Sequence, residues 1–246
     1  LKIMASTSEI GHAKNVANFQ DLIEFVTAYG ATYNPSKNSL KLPQLIALKA
    51  SADATLADVI TKNTNYNNKV NERITAFSGL KSLSTRLVNA LQTTDATTET
   101  IGNAKTFNRK MQGKKASSSQ TPTDPNTPAP NTISTSQQSY DQLIQHLAGL
   151  TSILEAETSY TPNETDLQVA TLQTKIADLT AKNTAVATAY ASISNSRIAR
   201  NETLYSSSTG LVETANEVKK YIKSVFGASS PQFAQVKGIQ FKIIKN

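Results

Sequence analysis

Cysteine and tryptophan are absent from this 246-residue chain, methionine (2) and glycine (9) are scarce, and aromatic residues make up only 6%. Without cysteine there is no disulfide framework, no thiolate nucleophile and no zinc-ribbon or iron–sulfur ligand set. With so few aromatics, the core must rest on Leu, Ile, Val and Ala, which suits packed helices better than a β-sandwich. Charged residues, at 17%, fall below the usual quarter, and Thr, Ser and Asn supply much of the polar surface instead. No run approaches the 18 or more apolar residues of a membrane span. The opening residues, Leu1 to Ser6, contain no apolar signal core. The expectation is that a signal peptide is absent or already removed, that Met4 before small Ala5 is compatible with a natural start, and that the setting is intracellular, with cytoplasm favoured.

Catalytic signatures are missing as well. There is no Walker loop, GxGxxG, GxSxG or HExxH. The two histidines, His12 and His146, have no acidic or histidine neighbour at metal-ligand spacing on the same face, so a structural or surface role is expected for each. Glu155 and Glu157 read as a solvated helix end. No enzyme activity, cofactor or metal is expected. Asn163-Glu164-Thr165 and Asn201-Glu202-Thr203 match the glycosylation acceptor pattern, as a chain rich in Asn and Thr will by chance.

What is present is helical periodicity, and it occurs twice. Residues 114–138 hold half of the chain's prolines (Pro122, Pro125, Pro128 and Pro130) and almost nothing apolar. Such a segment cannot offset its ordering entropy by burial and reads as a flexible Pro/Ser/Thr linker. The flanks, 1–113 and 139–246, echo each other. Phe19-Gln20-Asp21-Leu22-Ile23 parallels Tyr140-Asp141-Gln142-Leu143-Ile144, and Tyr33-Asn34-Pro35 parallels Tyr160-Thr161-Pro162. Ala57-Asp58-Val59 through Asn63-Thr64 parallels Ala177-Asp178-Leu179 through Asn183-Thr184, and Gly79-Leu80 parallels Gly210-Leu211. Phe107 with Gly113 likewise parallels Phe233 with Gly238. The anchors imply indels of about two and three helical turns, lengths that leave a buried face in phase.

In each half a first helix stops at a Tyr-x-Pro turn and a long second helix follows. The seam of that second helix alternates in steps of three and four: Leu45, Leu48, Ala52, Leu56, Val59, Asn63, Tyr66, Val70, Ile74 and Phe77 in one half. The other half has Val169, Leu172, Ile176, Leu179, Asn183, Val186, Tyr190 and Ile193. This is a heptad pattern, in which a polar Asn63 or Asn183 can set register at some cost in stability. A third helix starts after each glycine. Ser230 and Pro231 read as the cap and first residue of a short helix that ends at Gly238. Residues 239–244 alternate enough to be an extended tail packed on helices.

The run Phe226-Gly227-Ala228-Ser229-Ser230-Pro231-Gln232-Phe233, with Gly238 beyond it, resembles a closing segment of uncharacterised bacterial duplicated helical-bundle proteins. That resemblance implies the fold and transfers no activity.

The expected fold is all-α: two tandem three-helix antiparallel modules in one elongated, pseudo-two-fold bundle, with the linker between them and the tail at the end. Net charge is +7, and basic residues gather where each half closes. Lys105, Arg109, Lys110, Lys114 and Lys115 close one; Lys219, Lys220 and Lys223, then Lys237, Lys242 and Lys245, close the other. Cations also accumulate at helix C-termini simply because they complement the macrodipole. The function expected is therefore a non-enzymatic structural or protein-interaction module, its partner a protein, self or other. The alternative is binding of nucleic acid or an anionic surface at the basic ends.

Overall fold

A computed structural model describes residues 11–113 and 138–244. The expected linker, apart from Gln138, lies outside the described residues, as do Lys114, Lys115 and Lys245. The described residues are helical, with no strand among them. Eight α-helices follow in order: α1 (His12–Ala28), α2 (Leu42–Phe77), α3 (Leu80–Leu91), α4 (Thr98–Gln112), α5 (Tyr140–Ala156), α6 (Val169–Tyr205), α7 (Leu211–Phe226) and α8 (Pro231–Lys237). The basic run closing the first half is a separate helix, α4, and not a continuation of α3: residues 92–97 form a turn, and Thr97 caps α4 by accepting a bond from the Thr100 N–H.

Two compact units form, and they cut the chain differently from the expected boundaries. One takes the segments up to Tyr66 and from Ala189 onward; the other takes Asn67–Thr188. Helix length is the physical reason. A helix of 36 residues, such as α2, extends about 54 Å at 1.5 Å per residue, which carries the chain well past the reach of the 17-residue α1. In the first unit α1 therefore packs with α7 and α8; in the second, α5 packs with α3 and α4.

Each unit has its own aliphatic core. Phe19, Leu22 and Ile23 of α1 meet Leu45, Leu211, Val218 and Ile222 in the first. Leu147, Leu150 and Leu154 of α5 meet Leu80, Leu87, Met111 and Leu172 in the second. Burying each such side chain fully is worth about 1.5–3 kcal/mol.

The same local devices recur at matching positions. The Tyr33 hydroxyl donates to the Leu40 carbonyl at 2.7 Å, and the Tyr160 hydroxyl to the Leu167 carbonyl at 3.0 Å. Each bond closes the loop after the Tyr-x-Pro turn, and a short 3-10 turn ending at Leu40 or Leu167 then leads into the long helix. Each loop is also tied to its neighbouring helix by an ion pair of opposite sense: Lys37 with Glu217 of α7, and Asp166 with Arg86 of α3. Both pairs are exposed and contribute little to stability.

Position along the helices corrects two of the sequence parallels. α1 and α5 are both 17 residues long, yet Phe19 is the eighth residue of α1 and Tyr140 the first of α5. α2 and α6 start equally far beyond Tyr33 and Tyr160, but Asn63 is the twenty-second residue of one and Asn183 the fifteenth of the other. Each parallel is displaced by seven residues, one heptad, a shift that keeps the buried face in phase and so mimics alignment. In place the match is closer: positions 7, 8, 11, 12 and 15 are buried in both α1 and α5. Positions 1, 5, 8 and 12 are buried in both α3 and α7.

The long helices differ in how far the expected seam is buried. α6 buries Leu172, Leu179, Val186, Ile193 and Arg200 at strict seven-residue intervals. In α2 no residue between Ala52 and Phe77 is buried. Ile60 and Ile74, at 68% and 52% exposure, face solvent. Tyr190, placed in the α6 seam, is exposed on its helix and packs its ring on Tyr66 at 5.9 Å.

A lysine-lined cleft as candidate functional site

α7 buries one stripe and exposes another. Leu211, Ala215, Val218 and Ile222 enter the core, which leaves Asn216, Lys219, Lys220 and Lys223 on a second face at spacings of three, four and seven. Gly227 (φ +92°) ends the helix in a conformation that side-chain-bearing residues avoid. The chain turns there and restarts as α8. The Ser230 side chain caps α8 by accepting a bond from the Phe233 N–H, and Pro231 occupies its first turn. Val236 is fully buried, and the Tyr29 hydroxyl, 3.0 Å from both the Gln232 carbonyl and Gln235 Oε1, ties α8 to α1. Phe233 and Lys237, one turn apart on α8, thus face the lysine stripe of α7. Together these six residues line a cleft of about 420 Å³.

Electrostatically the cleft carries one sign. Four of its six lining residues are lysines and none is acidic. Lys223 Nζ lies 5.8 Å from the centre of the Phe233 ring. Lys220 sits 3.9 Å from Glu213 on the helix surface, a long pair between well-exposed side chains that contributes little. Lys219 differs from the others: it is half-buried, burial pushes its pKa down, and its ammonium donates to the Ile239 carbonyl at 2.7 Å.

That carbonyl opens the C-terminal tail, residues 239–244, which forms neither helix nor strand and is gripped by side chains. Asn18 Nδ2 donates to the Gln240 carbonyl at 2.6 Å. Asn15 pairs with both backbone groups of Lys242: Nδ2 donates to the carbonyl at 2.7 Å, and Oδ1 accepts from the N–H at 3.0 Å. Phe241 sets its edge against Phe19, with ring centroids 6.4 Å apart. The Tyr205 hydroxyl accepts from Asn15 Nδ2 at 3.3 Å and lies 2.7 Å from His12 Nδ1. Burial, then the nearby Arg200 charge, lowers the pKa of His12.

Of the basic residues anticipated from sequence, Lys219, Lys220 and Lys223 come together here. Lys105 and Arg109 instead project from α4 of the other unit, and Lys110 rides over the Phe107 ring at 5.5 Å. Arg109 and Lys110 occupy the last turn of α4, where they complement its dipole. Asn63 is exposed, one residue past the stripe through Val59, Lys62 and Tyr66. Asn183 bridges helices: it accepts from Arg73 at 3.0 Å and donates to Asp141 at 2.7 Å. His146 is buried beside Phe107. Sequence reasoning counted Lys237 among the basic residues closing the second half, but did not place Asn216 or Phe233 in a site. The i, i+3, i+4, i+7 spacing of residues 216–223 was the available signal, but its second wall depends on the turn at Gly227.

Among the described residues no three His, Asp or Glu side chains converge as a metal site, and no helix is long and apolar enough to cross a membrane. The fold and site define an all-helical chain with a basic surface cleft. Compared with protein-family models, curated proteins and solved structures, the chain has no match.

Proposed function

We propose that this chain is a non-enzymatic binding protein in which long helices provide the framework and the α7–α8 cleft receives an anionic partner. The observation that carries the reading is the convergence of Lys219, Lys220, Lys223 and Lys237 around Phe233 with no carboxylate in the lining. Like charges gathered this closely repel one another, and an anion relieves that repulsion. The test is binding of heparin, a generic polyanion, by calorimetry near physiological salt. The expected result is saturable binding that weakens as salt rises; no binding by the wild-type chain defeats the reading.

A second reading, association with a protein partner through the long helices, is favoured by one observation. Ile46, Ile60 and Ile74 are exposed on α2 at intervals of fourteen residues, two heptads, which keeps them close to one helical face. Light scattering across a concentration series checks it: self-association lost in Ile60→Asp supports it, and a strictly monomeric chain with no co-purifying protein removes it.

Duplication of an ancestral helical unit, with pseudo-two-fold pairing of the halves, belongs to the same proposal. So does kinship with duplicated bacterial helical bundles. Matching burial positions and the paired tyrosine bonds support the duplication. A register-setting role is proposed for Asn183 alone, since it joins Arg73 of α2 to Asp141 of α5.

A further inference from the structure

Resting on the anion-binding reading above, we infer that the α7–α8 cleft is a site for a short phosphate chain, and that docking of the chain's own residues 239–244 assembles it.

The ligand class follows from the chemistry of the lining. Every cation in the cleft is a lysine. Guanidinium forks grip carboxylate and phosphate alike in a fixed bidentate geometry, whereas ammonium groups act as point charges with rotating donors that can meet the oxygens of successive tetrahedral phosphates from several directions. The four lysines border one cavity of about 420 Å³, room for a compact ligand of several charges. Of the other basic residues singled out in the sequence, Lys105, Arg109 and Lys110 belong to α4 and Lys242 to the tail; the lining itself holds four lysines. A nucleic-acid duplex would engage more phosphates, spread along its backbone, than four lysines around one cleft can meet.

The role of the tail follows from how α8 is held. Two turns of helix are too few to persist alone, so α8 and its Phe233 and Lys237 depend on anchorage. Part comes from Val236 and Tyr29. α8 also packs on α7, and the tail adds a further hold: it leaves α8 through Gly238 and is fastened to α1 by Asn15 and Asn18. Lys219 belongs to both structures, since it lines the cleft and bonds the Ile239 carbonyl. An ammonium has three donors, so the tail bond holds Lys219 in place while two donors remain for a ligand. Docking therefore sets two of the four lysines, and linkage requires a bound anion to stabilise the docked tail in return.

The experiment is calorimetric titration of the full chain with tripolyphosphate, orthophosphate and hexaglutamate at one ionic strength. Amide exchange of the Lys242 N–H is followed in parallel. The expected result is a preference for tripolyphosphate and slower exchange at Lys242 when it is bound. Lys223→Gln and Lys237→Gln should each weaken binding about tenfold, the scale of one lost charge-assisted hydrogen bond. Asn15→Ala/Asn18→Ala, which leaves every lysine in place, should speed Lys242 exchange and weaken tripolyphosphate by about threefold or more. Helical circular dichroism of the double variant verifies its fold, and Asn15→Ala alone serves if the double variant does not fold. Heparin binding without tripolyphosphate binding, or tighter binding of hexaglutamate, overturns this inference and leaves the broader reading intact. Loss of tail protection with unchanged tripolyphosphate affinity overturns the role of the tail. Failure of heparin and tripolyphosphate alike removes both.

Discussion

Gly149 lies inside α5, where alanine would ordinarily be the better residue by about 0.5–1 kcal/mol. Here the Phe107 ring of α4 lies over it. A methyl group at position 149 would come within 2.4 and 2.5 Å of two carbons of that ring and 3.2 Å of a third. Carbon atoms pack best at about 3.5–4.0 Å, so the ring must shift by roughly an ångström and repack against its neighbours. Overpacking of this kind costs about 1–3 kcal/mol. Gly149→Ala is therefore expected to destabilise the chain by about 1–2 kcal/mol net, after the gain in helix propensity. In a Phe107→Ala background the obstruction is gone, and the same substitution should stabilise by about 0.5–1 kcal/mol. The change of sign is the diagnostic. Urea denaturation followed by circular dichroism measures it, and amide exchange in α4 and α5 locates it in the second unit. If Gly149→Ala stabilises both backgrounds equally, the packing of α4 on α5 argued above is wrong.

Four further outcomes are expected. Gly210→Ala should cost more than Gly149→Ala, because the added carbon would sit 2.5 Å from the Ser206 nitrogen and 2.6 Å from its carbonyl oxygen, and backbone cannot swing aside as a ring can; denaturation midpoints compare the two. Tyr33→Phe and Tyr160→Phe should each lose about 1 kcal/mol, the net value of one hydrogen bond or somewhat more when the acceptor is left buried, and a similar loss in both would show that the two loops rest on the same bond. Because the pKa of folded His12 is depressed below its usual 6.5, the unfolded chain binds the proton more readily. The stability contribution is thus present above about pH 6.5 and lost as pH falls below it; His12→Gln should flatten that part of the pH–stability curve, and proton NMR titration of the ring checks the direction. Removing the Asp166–Arg86 pair by Asp166→Asn should change stability little, since both side chains are exposed; a large loss would mean that the pair anchors the Tyr160 loop.

How far the sequence could be read depends on the range of the interactions involved. Helix content and the Ser230 cap with Pro231 were legible because propensity and capping act within a few residues. Gly79 and Gly210 were recognised as a pair, yet they serve different needs. Gly79 takes φ +78° with open space around it, whereas Gly210 has φ −68° and no room for a side chain. Only packing distinguishes the two cases.

Register and partner choice were not legible for a related reason. A heptad pattern looks alike after a shift of seven residues, so Phe19 against Tyr140 and Asn63 against Asn183 seemed equivalent while standing one heptad apart. The sequence by itself determined that the chain is helical, that a helix starts after Gly79 and after Gly210 and another at Pro231, and that its cations gather near helix ends. The tertiary structure alone decided that α1 joins α7 and α8, that α5 joins α3 and α4, and that Lys219, Lys220 and Lys223 meet Lys237 and Phe233 across a cleft. Apolar stripes are interchangeable in chemistry. What selects among them is helix length and the close fit of side chains such as Phe107 over Gly149, and neither shows in the pattern of apolar residues.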